Sequence, residues 1–102
     1  MKVVLSARVE ADIADQLQYG IDHFGQRVAE RTFSRVDTFL FKFLPAYPYS
    51  GNYLDERRVY EVWIARTPFV IFYRVDGERD TITVLALFHH AQNWAAFDPD
   101  EC

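Results

Sequence analysis

Pro68-Phe69-Val70-Ile71-Phe72-Tyr73-Arg74-Val75-Asp76-Gly77 is the stretch whose reading decides the fold. In an extended chain alternate side chains share a face, so Phe69, Ile71, Tyr73 and Val75 lie on one side and Val70, Phe72 and Arg74 on the other. Apolar residues on both sides predict a central strand covered on each face. Pro68 stands at the first position, where a missing N–H does least harm. Asp76-Gly77 supplies turn chemistry, with Gly77 expected to take the positive φ of a hairpin. The flanking segments read as its partners. Arg57 to Ala65 carries Tyr60, Val62 and Ile64 on one face and Val59, Glu61 and Trp63 on the other. Thr81 to His89 sets Ile82, Val84, Ala86 and Phe88 opposite Thr83, Leu85 and Leu87. Three strands joined by short turns form an antiparallel meander.

Upstream, Lys2-Val3-Val4-Leu5 is short and β-branched, an opening strand. Ser6 is placed to cap a helix through its hydroxyl. Val9, Ile13, Leu17, Ile21 and Phe24 recur at helical spacing, with Asp12, Asp15 and Asp22 turned outward. Gly20 weakens this helix and permits close packing, and Gly25 ends it. A second helix follows, with Ala29, Phe33, Val36, Leu40 and Leu44 as its apolar stripe. Phe39, Phe41 and Phe43 widen the stripe, which predicts burial of that end on more than one side. Pro45 and Pro48 forbid continuation, and the short connection makes the two helices an antiparallel hairpin. Residues 45–56 read as a loop whose Tyr47, Tyr49 and Tyr53 either seal the core edge or dock a partner. The fold class is α+β: the order β-α-α-β-β-β, a helical hairpin packed on a mainly antiparallel sheet.

The chain of 102 residues is expected to be one domain, 1–102, with 91–102 set apart as a tail that is either flexible or docked on the sheet edge. Half its residues are hydrophobic, enough for a packed core and against disorder. No apolar run reaches the roughly 20 residues that span a bilayer. The N-terminus has no secretion-signal pattern, so no membrane association is expected. The lone cysteine, Cys102, has no internal partner, which fits a reducing cytoplasm. A net charge of −4 is the wrong sign for a protein that lives on nucleic-acid phosphates. Arginines nevertheless gather on the second helix and around the strands, either as solvated surface or as a face for an acidic protein segment. No metal or other cofactor is expected.

Several segments resemble landmarks of the RelE/ParE toxin superfamily: Ser6-Ala7-Arg8-Val9-Glu10-Ala11-Asp12-Ile13, the Phe24-Gly25 break, Phe43-Leu44, and Tyr47-Pro48-Tyr49-Ser50-Gly51. Val70 through Gly77 and Val84 through Trp94 continue the resemblance, in the same order. It implies a small bacterial toxin of a type II toxin–antitoxin pair, with a cognate ParD-like antitoxin as hetero-oligomeric partner. The superfamily has two kinds of target. The ribonuclease branch cleaves messenger RNA on the ribosome, and typically carries an arginine three residues before the central-strand tyrosine; here that position is Val70. Cleavage needs a base, an acid and cations for the developing phosphorane charge. Lys2 and Lys42 are the only lysines, and the acid–base candidates near the sheet end are His89 and His90, with Tyr73 and Arg74. The run His89 to Trp94 is similar instead to the ParE-like branch, whose members inhibit DNA gyrase by binding and have no active site of their own. The resemblance therefore implies a gyrase-binding toxin rather than an enzyme, with the mRNA interferase and a non-toxic antitoxin-binding module as alternatives.

Two surfaces are expected to do this work. For the antitoxin, an amphipathic segment would lie along Phe39, Phe43, Tyr47, Tyr49, Tyr53, Trp63 and Phe72. Arg31, Arg35, Arg58 and Arg74 would meet its carboxylates. Read singly, each of these aromatics is also what a core residue looks like. For the target, the candidates are His89, His90, Gln92, Asn93, Trp94 and Phe97. Trp94 and Phe97 either fold back on the sheet edge or form that contact.

Overall fold

The structure, a computed structural model, describes residues 1–92 and 97–101. Strand β1 (Lys2–Leu5) leads into α1 (Ala7–Phe24) and α2 (Gln26–Thr38). The second helix runs on through a wide π-type turn, Phe39–Phe43, and ends in α3 (Leu44–Ala46). Strands β2 (Asn52–Leu54), β3 (Val59–Trp63), β4 (Phe69–Asp76) and β5 (Thr81–His89) follow, and Pro99–Glu101 forms a 3-10 turn. The sheet order is β1-β5-β4-β3-β2, antiparallel except where β1 runs parallel to β5. The expected α+β order stands, with β2 added as a short edge strand inside the segment read as loop.

β4 is central as its alternation requires. Phe69, Ile71 and Tyr73 enter a core with Val9, Val36, Leu40 and Leu44 of the helices. Val70 and Phe72 enter a second core on the opposite face, with Val59, Leu85, Ala86, Phe88 and Phe97. Ser6 caps α1 as expected: its Oγ accepts from the Val9 N–H at 3.1 Å. Gly25 alone joins α1 to α2, at φ 89° and ψ 157°, a positive-φ conformation outside the left-handed helical region. A Cβ on Gly20 would stand 3.2 Å from that of Ala29, so glycine lets the two helices approach closely.

Four expectations are corrected. First, Ile82 and Val84 share the helix-side core not with Ala86 and Phe88 but with Leu87, because a β-bulge between Phe72 and Tyr73 shifts the register. Phe72 pairs with Ala86 and Tyr73 with Val84, leaving Leu85 as the extra residue. Secondly, Gly77 does not take the positive φ. Asp76 Oδ1 instead accepts from the Glu78 and Arg79 N–H groups, and Asp80 closes the turn at φ 52°. Thirdly, Asp12 is turned inward: its Oδ2 accepts the Leu87 N–H at 3.1 Å. Ser6 Oγ donates to the Leu85 carbonyl at 3.0 Å. Helix α1 thus satisfies the bulged part of β5 beyond the end of β1. Fourthly, the phenylalanine-rich end of the second helix is not buried all round. Phe41 and Phe43 are 46% and 42% exposed.

Candidate functional site

Leu40 and Leu44 anchor the second helix in the core while Phe41 and Phe43 reach the surface. The Leu44 N–H bonds back five residues to the Phe39 carbonyl. Pro45, expected to stop the helix, stands instead within its last turn, after which the Tyr47 N–H donates to the Phe43 carbonyl at 3.0 Å. In this stretch Phe39 stacks on Phe43 at 5.1 Å between ring centroids, and Phe43 meets Tyr47 at 5.0 Å. Together with Arg35, Val62, Trp63 and Ile64, Phe39 and Phe43 line a largely apolar groove of about 480 Å³. Arg35 closes one wall by donating to the Arg66 carbonyl at 3.2 Å. Tyr47, Tyr49, Tyr53 and Trp63 are each 46–60% exposed. One patch with this much exposed aromatic surface is unusual on a domain with nothing to bind.

The tyrosines are tied to the sheet edge through Tyr60. Tyr49 and Tyr53 rings lie 5.9 and 4.9 Å from it, and Tyr60 stacks on buried Tyr73 at 5.2 Å. The Tyr73 hydroxyl accepts the Gly51 N–H at 3.1 Å, pinning the loop to the core. Burial pushes the Tyr73 hydroxyl above its ordinary pKa of 10.0, opposed in part by that N–H and by Ser50, so it stays protonated at neutral pH. Beyond Tyr60 lies a second, polar cavity of about 790 Å³, lined by Tyr53, Arg57, Arg58, Tyr60, Arg74 and Asp100 among others. Arg58 sits there at φ 55°, a region glycine or asparagine fills with less strain.

The expected antitoxin residues therefore divide. Arg35, Phe39, Phe43 and Trp63 meet in the apolar groove; Tyr53, Arg58 and Arg74 meet in the polar cavity; Tyr47 and Tyr49 are exposed aromatics near them. Arg31 is exposed on α2. Phe72 is the exception: it is fully buried against Phe88 and Phe97 and presents nothing to a partner. Tyr60 and Arg57 line the polar cavity but were not among the expected antitoxin residues. Tyr60 read as one of three core-facing residues on its strand, and nothing in the sequence set Arg57 apart from other turn arginines.

Of the expected target residues, His89, His90 and Gln92 form a turn at the end of β5. The His89 N–H donates to Gln92 Oε1 at 2.7 Å, and the Ala91 N–H to His89 Nδ1 at 3.1 Å. His90 stacks on His89 at 4.4 Å. Burial, reinforced by His90, holds His89 below the usual 6.5, which suits a neutral ring accepting at Nδ1. Asn93 and Trp94 lie outside the described residues. Phe97 is buried, 5.0 Å from Phe72 and 5.6 Å from Phe88, on the sheet face rather than its edge. The alternative catalytic set is dispersed. His89 pairs with Phe69, four residues along β4 from Tyr73, about 13 Å at ordinary strand rise. Arg74, on the other face, bonds Asp100 at 3.3 Å.

No curated protein matches the sequence. Several solved structures resemble the fold, among them two from toxin–antitoxin systems. One is a chain of the chromosomal ParDE toxin–antitoxin system from P. aeruginosa, at 18% identity and TM-score 0.67, over 87% of this chain and 95% of that one. The other comes from the toxin–antitoxin complex RelBE2 of Mycobacterium tuberculosis, at 22% identity and TM-score 0.62, over 86% and 95%. Residues 3–94 match the family model described as ParE toxin of type II toxin-antitoxin system, parDE, and the chain belongs to that family.

Proposed function

We propose that the chain is the toxin half of a type II pair, that it acts by binding DNA gyrase, and that a cognate ParD-like antitoxin neutralises it. The observation that carries the antitoxin reading is the exposed aromatic groove between the end of the second helix and β3, walled by Arg35. A partner's amphipathic helix supplies what such a groove lacks, an apolar stripe to fill it and carboxylates for Arg31 and Arg35. Both structural relatives come from toxin–antitoxin complexes, which supports a partner of this kind. Action by binding is favoured because the groups that RNA cleavage would need stand apart, with Tyr73 buried and protonated.

The purified chain should inhibit gyrase supercoiling and leave ribosome-bound messenger RNA intact. Ribosomal cleavage that disappears in His90→Ala would replace this reading with that of an interferase. Arrest of neither gyrase nor growth would reduce the chain to an antitoxin-binding module. Co-expression with the short reading frame beside its gene tests the groove. Trp63→Ala should weaken that complex by about 30-fold, the size of a central aromatic anchor. Phe43→Glu should do at least as much, while Phe41→Glu, outside the groove lining, should leave binding nearly intact.

A further inference from the structure

The polar cavity at the far end of β3 differs in chemistry from the aromatic groove. The turn from β2 to β3 brings Arg57 and Arg58 together, with both N–H groups bonded to the Leu54 carbonyl. Across the sheet, Arg74 of β4 completes an arginine triad around about 790 Å³ of open space, with Tyr53 and Tyr60 beside it. Two carboxylates line the same space: Glu56, and Asp100 from the C-terminal tail, which bonds the Arg74 guanidinium at 3.3 Å. The tail segment is fixed ahead of that contact. Phe97 is buried between Phe72 and Phe88, and the Arg8 guanidinium lies 4.9 Å from the Phe88 ring and 5.0 Å from that of Phe97. Asp98 Oδ1 accepts the Asp100 N–H at 2.9 Å and shapes the turn that delivers Asp100.

We propose that the cavity of Arg57, Arg58 and Arg74 is a carboxylate-binding site for an acidic segment of a protein partner, and that the chain's own tail occupies it in the partner's absence. The tail is the template for the ligand: an aromatic anchor followed by acids, Phe97-Asp98-Pro99-Asp100. Asp100 is 85% exposed and Arg74 41%, and an ion pair so open to water is weak enough to be exchanged. A guanidinium matches a carboxylate with parallel N–H donors, so an incoming acid loses nothing in geometry against Asp100. A protein segment is favoured over a nucleic-acid strand because the chain carries net charge −4 and the occupant already present is a peptide. The proposal rests on the toxin–antitoxin reading only for who the partner is. Its test uses neither antitoxin nor gyrase, so the two can fail separately.

The probe is a fluorescent peptide of the tail sequence, Ala-Ala-Phe-Asp-Pro-Asp-Glu, titrated into the full chain and followed by anisotropy. The tethered tail competes at high effective concentration, so the unaltered chain should bind weakly and Asp100→Asn about tenfold more tightly. Phe97→Ala combined with Asp100→Asn, checked for folding by circular dichroism, releases the tail by a second contact and should bind at least as tightly. Arg74→Gln in either background should remove the gain, as should a peptide with both aspartates changed to asparagine. Equal binding of the asparagine peptide overturns the site. So does the absence of any gain in both tail variants, or Arg74-dependent binding of a short single-stranded DNA oligomer in place of the peptide.

Discussion

The two faces of β4 are buried alike under unlike covers. On one, Ile71 and Tyr73 are fully enclosed beneath α1 and α2, elements formed early in the chain and knitted to the sheet over long stretches. On the other, Val70 and Phe72 are equally enclosed, but the described residues over that face are a short tail segment around Phe97, the side chain of Arg8 and Leu54 of the edge strand. Equal burial is therefore not equal permanence. A face closed by helices opens when the domain unfolds, whereas a face closed by a few terminal residues can open by itself.

The strongest way to break the contrast is to remove the strand's own contribution. Phe72→Ala should lower stability by about 4 kcal/mol in urea unfolding, as for other large aromatics deleted from a core, and in doing so abolish the distinction between the faces. Phe97→Ala should cost about 2 kcal/mol, the transfer value of one exposed phenyl ring, because the tail can move away and leave no fixed cavity. Hydrogen exchange sharpens the point: Phe97→Ala should speed exchange at β4 and β5 amides only where global unfolding is not required, leaving amides of α1 and α2 at their parent rates. A loss as large as that of Phe72→Ala would make the tail an integral layer and remove the contrast.

Asp12→Ala probes how the helical cover grips the sheet. It strands the buried Leu87 N–H and should cost roughly 1–2 kcal/mol, whereas Ser6→Ala, which removes a helix cap and a bond to Leu85, should cost about 1 kcal/mol. Acidification gives the smallest effect. His89 is held below 6.5 in the folded chain, so the unfolded chain binds the proton more readily. Stability is then fully present above 6.5 and is lost as pH falls toward the folded value. Thermal midpoints at about pH 7.5 and 5.5 should differ less in His89→Asn than in the parent, if this histidine supplies the slope.

The residues legible in the sequence were those whose surroundings are local or strictly periodic. β4 announced itself by alternation and by Pro68, Ser6 by its place before a helical stripe, and Gly25 by the break it makes. The bulge was illegible because Ile82 to Phe88 is apolar on nearly every position, so its alternation carries no phase. Asp12 looked like any outward acid on a helix; its partner, Leu87, is 75 positions away. Exposure of Phe41 and Phe43 went unseen for a different reason. Hydrophobicity reports what leaves water, and cannot say whether the shelter is this chain's core or another molecule's. The antitoxin candidates around Trp63 were found by type of residue, but their sorting into an apolar groove and an arginine cavity depends on which distant elements the fold brings together.

The extra residue at Leu85 makes β5 behave like a reading frame. Upstream of it, Ile82 and Val84 face the helices; downstream, Leu87 does, and Ala86 and Phe88 belong to the other core. Removing Leu85 itself would leave a regular strand with every other side chain on its present face, whereas losing a residue anywhere else in β5 would invert every position on one side of the cut. Turns such as Gly77 to Asp80 can absorb changes of length, while away from Leu85 the strand admits them only in pairs or with its whole apolar script rewritten.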